Sequence, residues 1–302
     1  MSTHVPAHAS AAPTAQAPAR TAVGTAPASS TPRPAGPRFQ GRQTFLRSVH
    51  SEWIKLWTLW STWISSIITI ALSVLFGAGV VVSYGQVEHL QSTAKNYITY
   101  GLSFGQIVVA VLGALVITGE YSSGQIRSSL TAVPNRSRLL LSKAVVLSVV
   151  AFILGSLSTF LSWAVSKPFI GEHAGSLADT HYLGHIWGSG LTLTGIALMA
   201  LGFGFLLRST AGSVTLSVVL LFVITIPLTL MSLKLKWAGK ILGCLPSTVS
   251  EAVNDPFHQA REWGSTTDPT FFLTHGQAIA VFAAWAIVPL LIAWFVFSRR
   301  DA

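Results

Sequence analysis

The sequence predicts an all-α polytopic integral membrane protein with six transmembrane helices, an N-terminal interfacial amphipathic helix and short outer-surface helices. Three observations predict it. Only 10% of the 302 residues are charged and 51% are hydrophobic, whereas a soluble domain carries about 25% charged residues to cover its surface. Six apolar runs each approach the ~20 residues that cross ~30 Å of hydrocarbon, and none of them contains Asp, Glu, Lys, Arg or His. The bases cluster at the ends of those runs, where they anchor membrane helices. The net charge of +9 has this origin, so nucleic acid is not an expected partner, whereas membrane lipid is. A single cysteine, Cys244, excludes an internal disulfide and any Cys-rich metal site.

Residues 1–43 are rich in Ala, Pro, Ser and Thr and hold no apolar core of a secretory signal. They cannot bury enough surface to offset ordering entropy, which predicts a disordered cytoplasmic tail ahead of a membrane domain over 44–302. Arg33, Arg38, Arg42 and Arg47 make its end basic, as a topology signal or as a contact to anionic lipid.

Phe45, Val49, Trp53, Leu56 and Trp60 are spaced by four, four, three and four, one face of a helix. Trp57 widens that face, and Arg47, Glu52 and Lys55 fall on other sides. The stretch reads as an interfacial helix with Trp53, Leu56, Trp57 and Trp60 toward lipid. An early start to the first span would instead take Glu52 and Lys55 to hydrocarbon depth, at a cost.

The spans are predicted near 62–83, 101–119, 144–165, 188–207, 212–233 and 277–298. An even number puts both termini on one side. With the N-terminus inside, 13 Lys and Arg fall in inner segments and 6 in outer ones, so both termini are expected in the cytoplasm, with the chain in the plasma membrane. Gly101 and Gly105 form a Gly-x-x-x-Gly that permits close helix approach. Pro227 and Pro289 are expected to kink their helices. The outer loop from Lys234 to His275 contains Trp237 to Val253, at near-helical apolar spacing and interrupted by Pro246, which predicts short helices at the outer interface. His181 and His185, near His173, Glu172 and Asp179, fit either an exposed polar loop or, on a helix, a zinc pair; no third ligand has motif spacing.

The polar segment Glu120 to Lys143 separates the second and third spans. Arg127, Arg136, Arg138 and Lys143 outnumber Glu120, which places it on the inner side. Ile126, Leu130 and Val133 share one face and Arg127 lies off it, so a short surface helix is expected, stopped before Pro134. Pro134-Asn135 is a turn signal, and Arg138 and Lys143 read as inner anchors of the third span. The segment is either a plain connection or a docking surface for a soluble partner.

The chain lacks a Gly-x-x-x-x-Gly-Lys-Ser/Thr phosphate loop, since Gly239-Lys240 is followed by Ile241. No catalytic residue, cofactor or nucleotide site of its own is expected. Spans without ionisable groups argue against a proton-coupled carrier and less against a sodium-coupled one.

With Ser51-Glu-Trp-Ile-Lys-Leu56, Gly119-Glu-Tyr-Ser-Ser-Gly-Gln-Ile-Arg127 and Val133-Pro-Asn-Arg-Ser-Arg138 leading to Lys143, the sequence resembles the permease subunits of type-2 ABC transporters, most of all their actinobacterial branch. The resemblance implies that residues 120–133 are a coupling helix inserting into a cleft of a separate ATPase subunit, with Glu120, Tyr121, Gly124 and Arg127 at the centre of the contact. It implies two ATPase copies, a permease homodimer or a second permease, and ATP-driven transport with export as the expected direction. Trp237 to Val253 would match the family's outer helices. Gln125 stands where many relatives carry Thr, which leaves the individual contacts of the motif open. Apart from the resemblance, an ATP-independent carrier or channel and a non-transporting anchor subunit stay open.

Overall fold

The computed structural model describes residues 44–259, 263–264, 268 and 270–299. The tail expected over 1–43 lies outside them. Among the described residues every regular element is a helix. Six helical segments are long and apolar enough to cross a membrane, and the protein is a multi-pass membrane protein.

Helix α1 (Phe45–Thr58) comes first and ends at Leu59, whose extended backbone (ψ 121°) turns the chain into α2 (Trp60–Gly85). Trp60, expected in the interfacial helix, is therefore the first residue of the span. The apolar period runs on across the break, so spacing alone could not mark it. Short 3-10 turns at Glu88–Leu90 and Lys95–Tyr97 flank α3 (Gln91–Ala94) and lead to α4 (Leu102–Ser122). Then follow α5 (Gln125–Ala132), α6 (Arg136–Ile170) and α7 (Thr180–Leu207). The fifth span joins α8 (Thr210–Val218), a π turn (Val219–Val223) and α9 (Thr225–Ser232). The short α10 (Lys236–Gly243) and α11 (Pro246–Asn254) precede α12 (His275–Arg299).

Two prolines act differently from the simplest reading. Pro227 has no N–H for the Val223 carbonyl, and the helix adapts just before it: the Ile224 N–H reaches back five residues to the Val219 oxygen at 2.9 Å. Pro246 does not interrupt a helix but opens α11, where its missing N–H costs nothing. Pro289 lies inside α12, which runs as one helix from His275 to Arg299.

The bundle is organised around α7, whose apolar window is 72% buried, against 17% for the fifth span. Helices α4, α6 and α12 pack on it. The Gly101/Gly105 pair provides a close approach between α2 and the start of α4. A Cβ on Gly101 would strike the Ser73 carbonyl oxygen, and one on Gly105 the Ser73 hydroxyl. The main apolar core joins Leu112, Leu147, Leu193 and Phe297 and continues into Ile126 and Val133. The short helix α5 is thus part of the packed body.

Candidate functional site

The site is built where α4 ends and α5 begins. Gly124 takes φ +71°, a left-handed conformation that strains any residue with a Cβ, and this single residue turns the chain from α4 into α5. Ile126, Ser129 and Val133 are buried, while Gln125, Arg127, Ser128 and Thr131 are exposed. The Val133 N–H closes the helix on the Ser129 oxygen at 2.8 Å, and Pro134 cannot extend it. Asn135 then caps α6, its Oδ1 accepting from the Arg138 N–H at 3.1 Å. The expected short amphipathic helix ending before Pro134 is present.

Beneath α5 lies a group of four charges, of which Glu52, Glu120 and Lys143 are buried and Lys55 is half-buried. Lys143 Nζ donates to Glu52 Oε2 and to Glu120 Oε1, both at 2.7 Å. Lys55 Nζ donates to Glu52 Oε1 at 2.9 Å, to Glu120 Oε1 at 3.0 Å and to Ser129 Oγ at 3.1 Å. Two carboxylates and two ammonium groups balance, and they come from α1, α4 and α6, with Ser129 attaching α5. Charges this buried persist only when paired and hydrogen-bonded. The Lys55 ammonium lies outside the spans. Burial would lower its pKa, but the Glu52 and Glu120 carboxylates more than offset that and hold it above its ordinary value.

This arrangement corrects three expectations. The face of α1 turned to the protein is Ser48, Glu52 and Leu56, so Glu52 points inward, Leu56 packs on the body rather than lipid, and Trp57 is exposed with Trp53 half-buried. Glu52 can sit inside because Lys143 and Lys55 both pair with its carboxylate. Lys143 is no anchor reaching for solvent: it is 1% exposed because its two acceptors lie inside. Glu120, expected at the centre of a contact with a soluble partner, is also buried and paired inward.

Of the other three residues expected there, Tyr121 is half-buried, with the Arg208 guanidinium 5.3 Å from its ring centroid. Gly124 and Arg127 are exposed. Arg136 ties this end of α6 to the end of α12, Nη1 donating to the Phe297 oxygen at 2.9 Å. The ends of α4, α6, α7 and α12 therefore gather at one end of the bundle, together with α1 and α5. Sequence reasoning missed Glu52, Lys55, Ser129 and Lys143 as one cluster. The available signals were the Glu52/Lys55 spacing of three and a lysine directly abutting an uncharged run.

At the opposite end, His181 and His185 do lie on one helix, in the first turns of α7. His185 is buried with Nδ1 3.0 Å from the Asn254 oxygen, and the His181 ring stands edge-on to Phe257 at 4.8 Å. Among the described residues no group of three His, Cys, Asp or Glu could hold a metal ion.

The geometry describes a short helix with a polar outer face, clamped to the ends of several long helices. A force on α5 would reach α4 and α6 through packing and ion pairs without needing a flexible loop. No curated protein matches the chain. Residues 67–302, which carry α5, Glu120 and Lys143, match the family described as "Protein of unknown function (DUF2705)", and the chain belongs to that family.

Proposed function

We propose that this protein is the permease subunit of an ATP-driven ABC exporter in the plasma membrane, coupled through residues 120–133 to a separate ATPase subunit. The observation that carries the reading is α5 itself: a solvent-facing helix of eight residues whose inner face places Ile126 in the apolar core and Ser129 on Lys55 of the charge cluster. A passive connection between spans has no need of a paired charge cluster beneath it. The end bearing α5 also gathers Arg127, Arg136, Arg138 and Arg208, which supports a cytoplasmic placement.

In this reading Arg127, Gln125 and the Gly124 turn meet the ATPase, and Glu120 positions α5 from beneath. ATP binding closes a pair of ATPases, and the difference in α5 contact between open and closed states moves the spans. The little-buried fifth span offers a face for a second permease.

The test is a pull-down from native membranes with the tagged chain, probed for a soluble phosphate-loop ATPase. Arg127→Glu reverses an exposed charge and is expected to abolish association while the purified chain keeps its unfolding temperature. Deleting Ser122 to Leu130 should also abolish association, with membrane insertion retained. Association undiminished in both variants would overturn the docking role.

A further inference from the structure

Helix α10 lies at the end of the bundle away from α5 and packs against α9. Ala238, Gly239, Leu242 and Gly243 form its buried face. The exposed side divides into two stripes. Lys236 and Lys240, four residues apart, make one, and Trp237 and Ile241, also four apart, make the next. Lys234 is exposed just ahead of the helix. Among the described residues none of these three lysines has a carboxylate partner. The sequence holds no Asp or Glu between Asp179 and Glu251.

Beside α10 a hollow of ≈ 300 Å³ is lined by Lys240, Ile241, Cys244, Leu245, Phe272 and Trp285. Trp285 belongs to α12, so the hollow adjoins a membrane span. Its indole N–H is already donated to the Cys244 oxygen at 2.8 Å. The Lys240 ammonium is therefore the charged group on an otherwise apolar wall.

Like charges four apart on a helix repel, and an anion between them relieves the repulsion. The ligand that fits has a negative head and an apolar tail. A purely solvated basic face has no use for Trp237 and Ile241 beside its lysines, whereas a helix lying in a bilayer interface does. A lipid with a neutral head would fill the hollow and leave the lysines unmatched. A soluble anion would match the lysines and leave the hollow unfilled. The bilayer around the spans supplies molecules with both parts, and each lysine near anionic lipid adds attraction.

We propose that α10 and the hollow beside it bind one anionic phospholipid of the surrounding bilayer. Its phosphate lies at Lys236 and Lys240, with Lys234 adding to the local charge, and one acyl chain enters the hollow along Ile241 toward Trp285. The site involves neither α5 nor an ATPase, so it is read on the purified chain alone.

The experiment is native mass spectrometry of the full chain, purified in detergent, delipidated and titrated with phosphatidylglycerol or with phosphatidylcholine of the same two chains. Phosphatidylglycerol is expected to be retained at one molecule per chain, at concentrations where phosphatidylcholine is not. Lys236→Gln and Lys240→Gln should each weaken retention about 5-fold, the attraction of one lysine for anionic lipid, and the double variant about 25-fold. Ile241→Trp fills the hollow from an exposed position without changing charge and should also weaken retention. Lys95→Gln removes an exposed lysine outside α10 and should leave retention unchanged. The lysine variants should keep the unfolding temperature of the delipidated wild type, because no carboxylate of the described chain depends on the α10 lysines. Equal retention of the two lipids, wild-type retention in the double lysine variant or in Ile241→Trp, an equal loss in Lys95→Gln, a fall in unfolding temperature without lipid in Lys236→Gln or Lys240→Gln, or displacement by an equal concentration of glycerophosphoglycerol or palmitate would each overturn the proposal.

Discussion

Lys143 Nζ lies 2.7 Å from Glu120 Oε1, joining the third span to the end of the second. The same ammonium reaches Glu52 Oε2 at 2.7 Å, 91 residues away in sequence. This one side chain therefore holds α1 and the end of α4 together.

Replacing Lys143 by Met keeps much of the length and removes the charge. Two buried carboxylates would then share Lys55 alone. Breaking a buried pair from one side costs about 3–5 kcal/mol, so a large fall in unfolding temperature is expected in detergent. The double variant Glu120→Gln with Lys143→Met should lose clearly less than the sum of the two single changes. Additive losses would show that the two residues do not interact.

The pH dependence follows from Lys55. Its pKa in the folded chain lies above the ordinary 10.5. The stability it contributes is therefore complete below about 10.5 and is lost as pH rises through the folded value. The wild-type unfolding temperature should fall more steeply than that of Lys55→Met in this alkaline window. Parallel curves for the two proteins would exclude the linkage.

Gly124 has φ +71°, and no atom lies within 4 Å of the point where a Cβ would stand. Any loss in Gly124→Ala must come from backbone strain, about 1–2 kcal/mol. Gly124→Asn should lose less, since Asn tolerates this region. The helical Gly79, which also has open space around it, gives the control: Gly79→Ala should be neutral or slightly stabilising. Thermal unfolding of the three variants measures the order.

Gly101→Leu tests the contact between α2 and α4. Its Cβ would meet the Ser73 backbone, which cannot rotate away as a side chain can. Overpacking of this kind costs about 1–3 kcal/mol or more. A marked loss of monodisperse protein by size-exclusion chromatography is expected for this variant and not for Gly79→Leu.

Much of the fold was legible because it depends on local pattern. Uncharged runs near 20 residues marked the six spans, and the spacing of Ile126, Leu130 and Val133, closed by Pro134, marked α5. Pattern failed where two helices share one period, as at Leu59 between α1 and α2, and where Pro246 could equally end a helix or begin one.

The sequence by itself determined that this chain is helical, crosses the membrane several times and places a short polar helix between its second and third spans. Hydrophobicity and helical period are properties of neighbouring residues, so they can be read along the chain. Only the tertiary structure decided that Glu52, Lys55, Glu120 and Lys143 meet. It also turned Glu120 inward and left Gly124 and Arg127 facing out. Charge pairing depends on distance through space, and residues 91 positions apart carry no mark in the chain of which partner the fold will bring.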